Sequence, residues 1–285
     1  RLVGTATDFE RLGWEDAHPG LLVGPGGRAA IHGGAMRGNH HGVTARGAER
    51  VDLRDVTVAR SRGTGILLRG PCGTVALRGV VSRENAASGV KIDDACTGVA
   101  IDGASVNRNA RSGIDVADSD GVSVRRAQVW DNETGVVLRG AAHATLAGSQ
   151  VSANRSDGVL VNAPAGGVRV LRGRLDHNAR AGIYLNQGQA TVGRRTRIVS
   201  NETGVRVTDP TVVVSVADSL VTRNVKDGFS LVGAGGVTLT RNRVLDNGAA
   251  AFSVDVPGVS APLLAGNRID DAVTERVRSP ETDPT

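Results

Sequence analysis

Asn85-Ala86-Ala87-Ser88-Gly89-Val90-Lys91-Ile92 reads Asn, three residues, Gly, then apolar-x-apolar, and the chain returns to it again and again. The same wording spans Asn109 to Val116, Asn154 to Val161, Asn178 to Leu185 and Asn224 to Leu231. Shorter variants start at Asn39, Asn132 and Asn201, and a degenerate one at Asn247. The marker glycines Gly42, Gly65, Gly89, Gly113, Gly135, Gly158, Gly182, Gly204 and Gly228 follow one another at 22 to 24 residues. A fixed period of this length marks a chain built from stacked units that bury one another's open faces.

Each unit holds three short apolar runs, as in Gly89-Val90-Lys91-Ile92, Val99-Ala100-Ile101 and Ala104-Ser105-Val106. Alternation with period two predicts strands with one face inward, and no run is long enough for a helix. Three strands per unit, repeated in register, predict an all-β, single-domain parallel β-helix of about ten coils, with each strand ~4.8 Å from its copies. The asparagines are expected to bond their copies in adjacent coils. The marker glycines are expected to supply the positive φ of the turn. Residues 1–38 are expected to form an N-terminal cap and first irregular coil, with Thr7 to Leu12 helix-compatible, residues 39–270 the β-helix, and 271–285 a polar tail.

Composition agrees. The 285 residues include 39 glycines and six aromatic rings, Phe9, Trp14, Trp130, Tyr184, Phe229 and Phe252, so the core must be aliphatic. No apolar run approaches the ~18 to 20 residues that span a bilayer, so no membrane partner is expected. Formal net charge is +5, and Lys91 and Lys226 are the only lysines, leaving arginine as the main cation and an anionic partner as the expectation. Nucleic acid is not expected, because basic residues and aromatic rings do not interleave. A start at Arg1 is expected of a processed or trimmed product.

These residues resemble the right-handed parallel β-helix superfamily, which includes pectate lyases and polysaccharide lyases. In local wording they are most similar to the catalytic modules of mannuronan C5-epimerases. The shared phrasing is Asn-x3-Gly-apolar-x-apolar, with strings such as Val244-Leu245-Asp246-Asn247, over about residues 39 to 270. The resemblance implies a right-handed coil and a carbohydrate-active protein on an acidic, uronate-containing glycan, secreted or at the cell surface. The Asp-Pro-His-Glu motif of the epimerases is absent, as are the Gly-His-Gly and Arg-Ile-Lys signatures of polygalacturonases.

Residues two and four after each marker glycine should point outward. The plus-two column runs Thr44, Leu67, Lys91, Asp115, Val137, Leu160, Tyr184, Arg206, Ser230, and the plus-four column Arg46, Arg69, Asp93, Ala117, Arg139, Asn162, Asn186, Thr208, Val232. One candidate catalytic group is Lys91, Asp93 and Asp115 with Arg69 and Arg139. Removing the C5 proton of a uronate needs a base, here Lys91, and a cation to neutralise the carboxylate, here Arg69 or Arg139. Asp93, Asp94, Asp115 and Asp118 are candidate Ca²⁺ ligands; no organic cofactor is expected. A second candidate is Tyr184 as proton donor or base, with Arg46, Asn162, Asn186 and Arg206 as substrate-binding residues. The competing readings are a salt-bridged charge ladder on a non-catalytic glycan-binding module, an inverting glycosidase using Asp93 and Asp115, and an isomerase or cyclase on a small anionic metabolite. The columns are expected to form an open, shallow groove, and the oligomeric state is left open. His40, His41, His143 and His177 read as turn residues. Cys72 and Cys96, each seven residues past a marker glycine, should stack on adjacent coils, as thiols in preference to a disulfide.

Overall fold

Alternation along each repeat becomes three strands per coil. In the coil after Asn85 they are Val90–Asp93, Ala100–Asp102 and Ser105–Asn107, here called the front, side and back strands. The computed structural model describes residues 18–140, 143–232, 235–255 and 263–270, with the strands Leu2–Thr5, Asp8–Glu10 and Glu275–Val277. Every front strand pairs in parallel with its copies, so that Ile66, Val90, Ile114, Val136, Val159, Ile183, Val205, Phe229 and Phe252 form one continuous row. The back strands make a twelve-stranded sheet. Front and side strands merge into a 22-stranded sheet, because Val159–Leu171 and Ala181–Gly193 run across the corner unbroken. The stack of about ten coils read from the period is extended by further strands at both ends.

The inward positions fill the interior. Val90, Ile92, Val106, Ile114, Val116 and Val129 are fully buried, as are Val151, Val159, Val161, Val205, Val207 and Val221 farther along the stack. Near the C-terminal end the front row carries Phe229 and Phe252, stacked with centroids 5.3 Å apart. Each such side chain contributes about 1.5–3 kcal/mol by leaving water, which is why so few rings suffice.

Asparagines hold one corner. Asn85, Asn109, Asn132, Asn154, Asn178, Asn201, Asn224 and Asn247 form an unbroken buried ladder in which each Nδ2 donates to the next Oδ1, at 2.8 to 3.2 Å. Each Oδ1 also accepts from the preceding asparagine's backbone N–H, as from Asn109 to Asn132 at 3.1 Å. Buried amides at this corner thus lack neither donors nor acceptors.

Three expectations change. The left-handed residue of the turn is the one before each asparagine, such as Glu84, Arg108, Asp131 or His177, with φ between 54° and 57°. The marker glycines have no positive φ. They are glycines because a Cβ on Gly89 would sit 2.7 Å from Asn109 Nδ2 and 2.8 Å from the Gly113 carbonyl oxygen. Asp8–Glu10, inside the helix-compatible stretch, is a strand paired in parallel with Ala35–Arg37, where a neighbouring coil supplies the backbone partners a six-residue helix would lack. Finally, Cys72 and Cys96 are joined in a disulfide, their Cα atoms 4.5 Å apart, within the range a bridge accepts, so neither is a free thiol. The remainder of Thr7 to Leu12 and the polar tail lie outside the described residues.

Candidate functional site

The register aligns the outward plus-two residues as expected: Lys91 pairs with Asp115, Asp115 with Val137, Val137 with Leu160, Leu160 with Tyr184, and Tyr184 with Arg206. In the plus-four column Arg46 pairs with Arg69, Arg69 with Asp93, and Arg139 with Asn162. A register shift between Val161 and Asn162 then sets Asn162 opposite Gln187, so Asn186 leaves the column. Lys91 and Tyr184 are four coil steps apart, roughly 19 Å, and serve separate groups.

The Lys91 group is closed on itself. Lys91 Nζ donates to Asp93 Oδ2 at 2.8 Å, Arg69 Nη2 reaches the same oxygen at 3.3 Å, and Arg69 Nε meets Asp94 at 3.1 Å. Arg139 Nη2 lies 2.8 Å from both oxygens of Asp115. Burial opposes ionisation of Asp93, but the hydrogen bonds and charges of Lys91 and Arg69 outweigh it and hold the carboxyl below the usual carboxylate range. An inverting hydrolase needs one carboxyl kept protonated, and Asp93 is shifted the wrong way for that role. As a donor to Asp93, Lys91 Nζ faces the task opposite to that of a base.

The Ca²⁺ expectation is not supported. Asp93, Asp94 and Asp115 are each engaged by an arginine or lysine, and Asp118 stands at a left-handed turn position over Gly140. Among the described residues no three His, Cys, Asp or Glu side chains gather where an ion could be held.

The Tyr184 group is open. The guanidinium of Arg206 lies over the Tyr184 ring, 5.4 Å from its centroid, and Arg206 has no carboxylate within ion-pair distance among the described residues. Thr208 Oγ1 is 3.1 Å from the Tyr184 hydroxyl and 3.3 Å from Asn186 Oδ1. Its one proton serves one of the two; when it goes to Asn186, the Thr208 oxygen can accept from Tyr184. Asn186 thus joins the group through Thr208 despite leaving its column. Asn162 Oδ1 is buried without a hydrogen-bond partner among the described residues. Arg46 likewise has no acid partner among the described residues and stands at the far end of the face.

Two residues outside the expected set adjoin these groups. Asp157 is buried and its Oδ1 accepts from Ala181 N–H at 3.0 Å, pinning the turn that leads into the Tyr184 strand. Burial raises its pKa, against the pull of the Ala181 bond and of Arg180 and Arg206. Its place just before a marker glycine, where only Asp227 among the other coils is also acidic, was the available signal. His41 is half-buried beside Arg46 and Arg69; desolvation and those cations lower its pKa against a raising contact with Thr64. Its Nδ1 lies 3.0 Å from the Thr64 nitrogen and 3.3 Å from the Thr64 carbonyl oxygen.

With this geometry in view, comparison with known proteins is informative. The family described as right handed beta helix region matches residues 112–260. The chain belongs to the right-handed β-helix family. The family described as periplasmic copper-binding protein (NosD) matches residues 11–171, so the chain belongs to that family as well. No curated protein matches the chain. Among solved structures, the periplasmic alginate epimerase AlgG superposes with a TM-score of 0.70 at 12% identity, over 85% of this chain and 69% of that one. The A-module of Azotobacter vinelandii mannuronan C-5 epimerase AlgE6 gives 0.69 at 17% identity, over 86% and 74%. Pectate lyase Pel9A gives 0.55 at 15% identity, over 92% and 73%. These likenesses establish the fold.

Copper, which the NosD description names, favours imidazole, thioether and thiolate ligands. Here both cysteines are bridged and Met36, the only methionine, is buried in the back row. His40 and His41 stand with ring centroids 4.5 Å apart, but no third ligand joins them among the described residues. The donor set does not fit copper.

Proposed function

We propose that this protein acts on an acidic, uronate-containing polysaccharide at the front face, by proton transfer at C5 of the lyase or epimerase type. The observation that carries the proposal is the pairing of Tyr184 with an Arg206 that has no carboxylate within ion-pair distance among the described residues. Arg206 is free to take the carboxylate of a bound uronate and to offset the charge that develops when C5 loses its proton. Tyr184 supplies the hydroxyl for proton transfer, and Thr208 and Asn186 fix its direction. Asp157, too buried to touch a sugar, is a positioning residue that holds the Ala181 turn. Likeness in fold to alginate epimerases and a pectate lyase supports the substrate class, and the word periplasmic in the descriptions of AlgG and NosD supports an extracytoplasmic setting.

In this reading the Lys91, Asp93, Arg69, Asp94, Asp115 and Arg139 network is a charge ladder that stiffens the face below the site. Its internal neutrality favours that role over catalysis. Arg46 extends the binding face for a longer chain. The test is turnover of alginate and pectate by the wild type and by Tyr184→Phe and Lys91→Ala. Loss in the first with retention in the second supports the proposal; the reverse pattern returns the chemistry to Lys91.

A further inference from the structure

A row of arginines lies at the corner between the side and back strands, away from the front face. Residues at this corner take left-handed backbone, and along successive coils they are Arg126, Gly148, Arg172, Arg194 and Arg195, Asp218, then Arg241. At Gly148 nothing lies within 4 Å of where a Cβ would stand, which leaves a notch between Arg126 and Arg172. The notch opens into a depression of about 560 Å³ whose rim carries Arg125, Arg169, Arg172 and Arg194. A second depression of about 600 Å³ carries Arg195, Arg197, Arg241 and Arg243. Arg194 lines the first and Arg195 the second, so the two depressions flank the same corner.

Charge balance separates this corner from the rest of the molecule. Its acids are already used: Asp102 accepts from Arg126, with Nε at 2.9 Å, and Asp218 accepts from Arg241 at 2.8 and 3.0 Å. Arg169, Arg172, Arg194, Arg195, Arg197 and Arg243 are all exposed and have no carboxylate within ion-pair distance among the described residues. From Asp102 to Arg241 the corner climbs six coil steps, roughly 29 Å at ~4.8 Å each. The unneutralised guanidiniums within it, from Arg172 to Arg243, cover three of those steps, roughly 14 Å, a row that matches an extended polyanion better than a single small ion.

We infer that this corner binds a stretch of acidic polysaccharide and anchors a chain whose reacting residue lies elsewhere. The inference rests on the acidic glycan proposed above as substrate and adds a place where it is held without reaction. Polysaccharide is favoured over single-stranded nucleic acid because no aromatic ring among the described residues lines either depression to stack a base. It is favoured over a membrane because the corner offers charge and no apolar wedge to insert.

The left-handed geometry supplies a clean test. Arg172→Gly and Arg194→Gly remove charge at positions whose φ of 54° glycine adopts freely, so the double variant keeps its fold. Binding of polymannuronate is measured by calorimetry over a range of salt, with dextran as neutral control and oligo-dT and phosphatidylglycerol vesicles as other polyanions. The double variant is expected to bind about tenfold or more weakly, with a salt slope flatter by roughly two, while turnover of short oligouronates is unchanged. Unchanged affinity in R172G/R194G overturns the inference, as does tighter binding of oligo-dT or vesicles than of polymannuronate. Loss of binding in the double variant of a protein that shows no turnover upholds the anchor and removes the catalytic proposal.

Discussion

Arg206 stands one coil beyond Tyr184 in the same outward column, its guanidinium 5.4 Å from the centre of the tyrosine ring. The contact fixes the phenol beside a cation that has no carboxylate within ion-pair distance among the described residues. Tyr184→Phe keeps the ring and the cation–π contact and removes only the hydroxyl. Turnover is expected to fall by roughly 10²–10⁴-fold with substrate affinity little changed. Arg206→Ala should lower both, since it deletes the carboxylate contact as well. Steady-state kinetics on oligouronates separates the two patterns.

Lys91 and Asp93 form the opposite kind of pair, closed and partly buried. Lys91→Met leaves Asp93 with Arg69 alone and is expected to cost about 1–3 kcal/mol in chemical denaturation. The sign with pH follows from the lowered pKa of Asp93: its stabilisation is present above the ordinary aspartate range and is lost as pH falls through the folded value. The wild type should therefore lose more stability than Lys91→Met on acidification, and turnover should change by less than tenfold.

Asp157 carries the reverse sign. Its pKa is raised by burial, so the folded state binds the proton more tightly than the unfolded chain, and the residue costs stability once pH rises above its folded value. Asp157→Asn keeps an oxygen to accept from Ala181 N–H and removes the buried charge. It is expected to be more stable than the wild type at neutral pH, with the gain disappearing in acid. Thermal melts across pH test this.

Solenoid glycines fall into two physical classes. Gly113→Ala would press a Cβ to 2.9 Å from Asn132 Nδ2 and 2.8 Å from the Gly135 carbonyl oxygen, and should cost several kcal/mol or prevent folding. Gly148→Ala meets no atom and pays only for its φ of 60°, about 1–2 kcal/mol. In the ladder, Asn132→Ala strands the Asn109 amide and backbone N–H and should cost about 2–4 kcal/mol. Denaturant melts of the three variants give the ranking.

The fold was legible because one 23-residue unit is written many times. Strand phase, inward Val and Ile, and the asparagine ladder all follow from the wording around Asn85 and Gly89. What the wording concealed depends on neighbours in space. Gly89 is excluded from bearing a Cβ by Asn109 and Gly113 of the next coil, and the left-handed turns fall on residues such as Arg108 that carry no compositional mark. Of the site, the Tyr184 and Arg206 column was readable from parity alone. The loss of Asn186 from its column was not, since the shift at Asn162 arises where two strands fuse across a corner. Stacking of Cys72 and Cys96 on adjacent coils was readable from the spacing, but adjacency alone allows both thiols and a bridge, and the structure has the bridge.

The central claim is proton transfer at C5 of a uronate by the Tyr184 group. The most direct measurement is proton NMR of polymannuronate incubated with the protein in D₂O, wild type beside Tyr184→Phe. The account predicts in the wild type either inverted residues that carry deuterium at C5 or 4,5-unsaturated residues that carry no C5 hydrogen, and neither in Tyr184→Phe. A wild type that leaves C5 fully protonated, or a Tyr184→Phe variant that exchanges it at the wild-type rate, would contradict the claim.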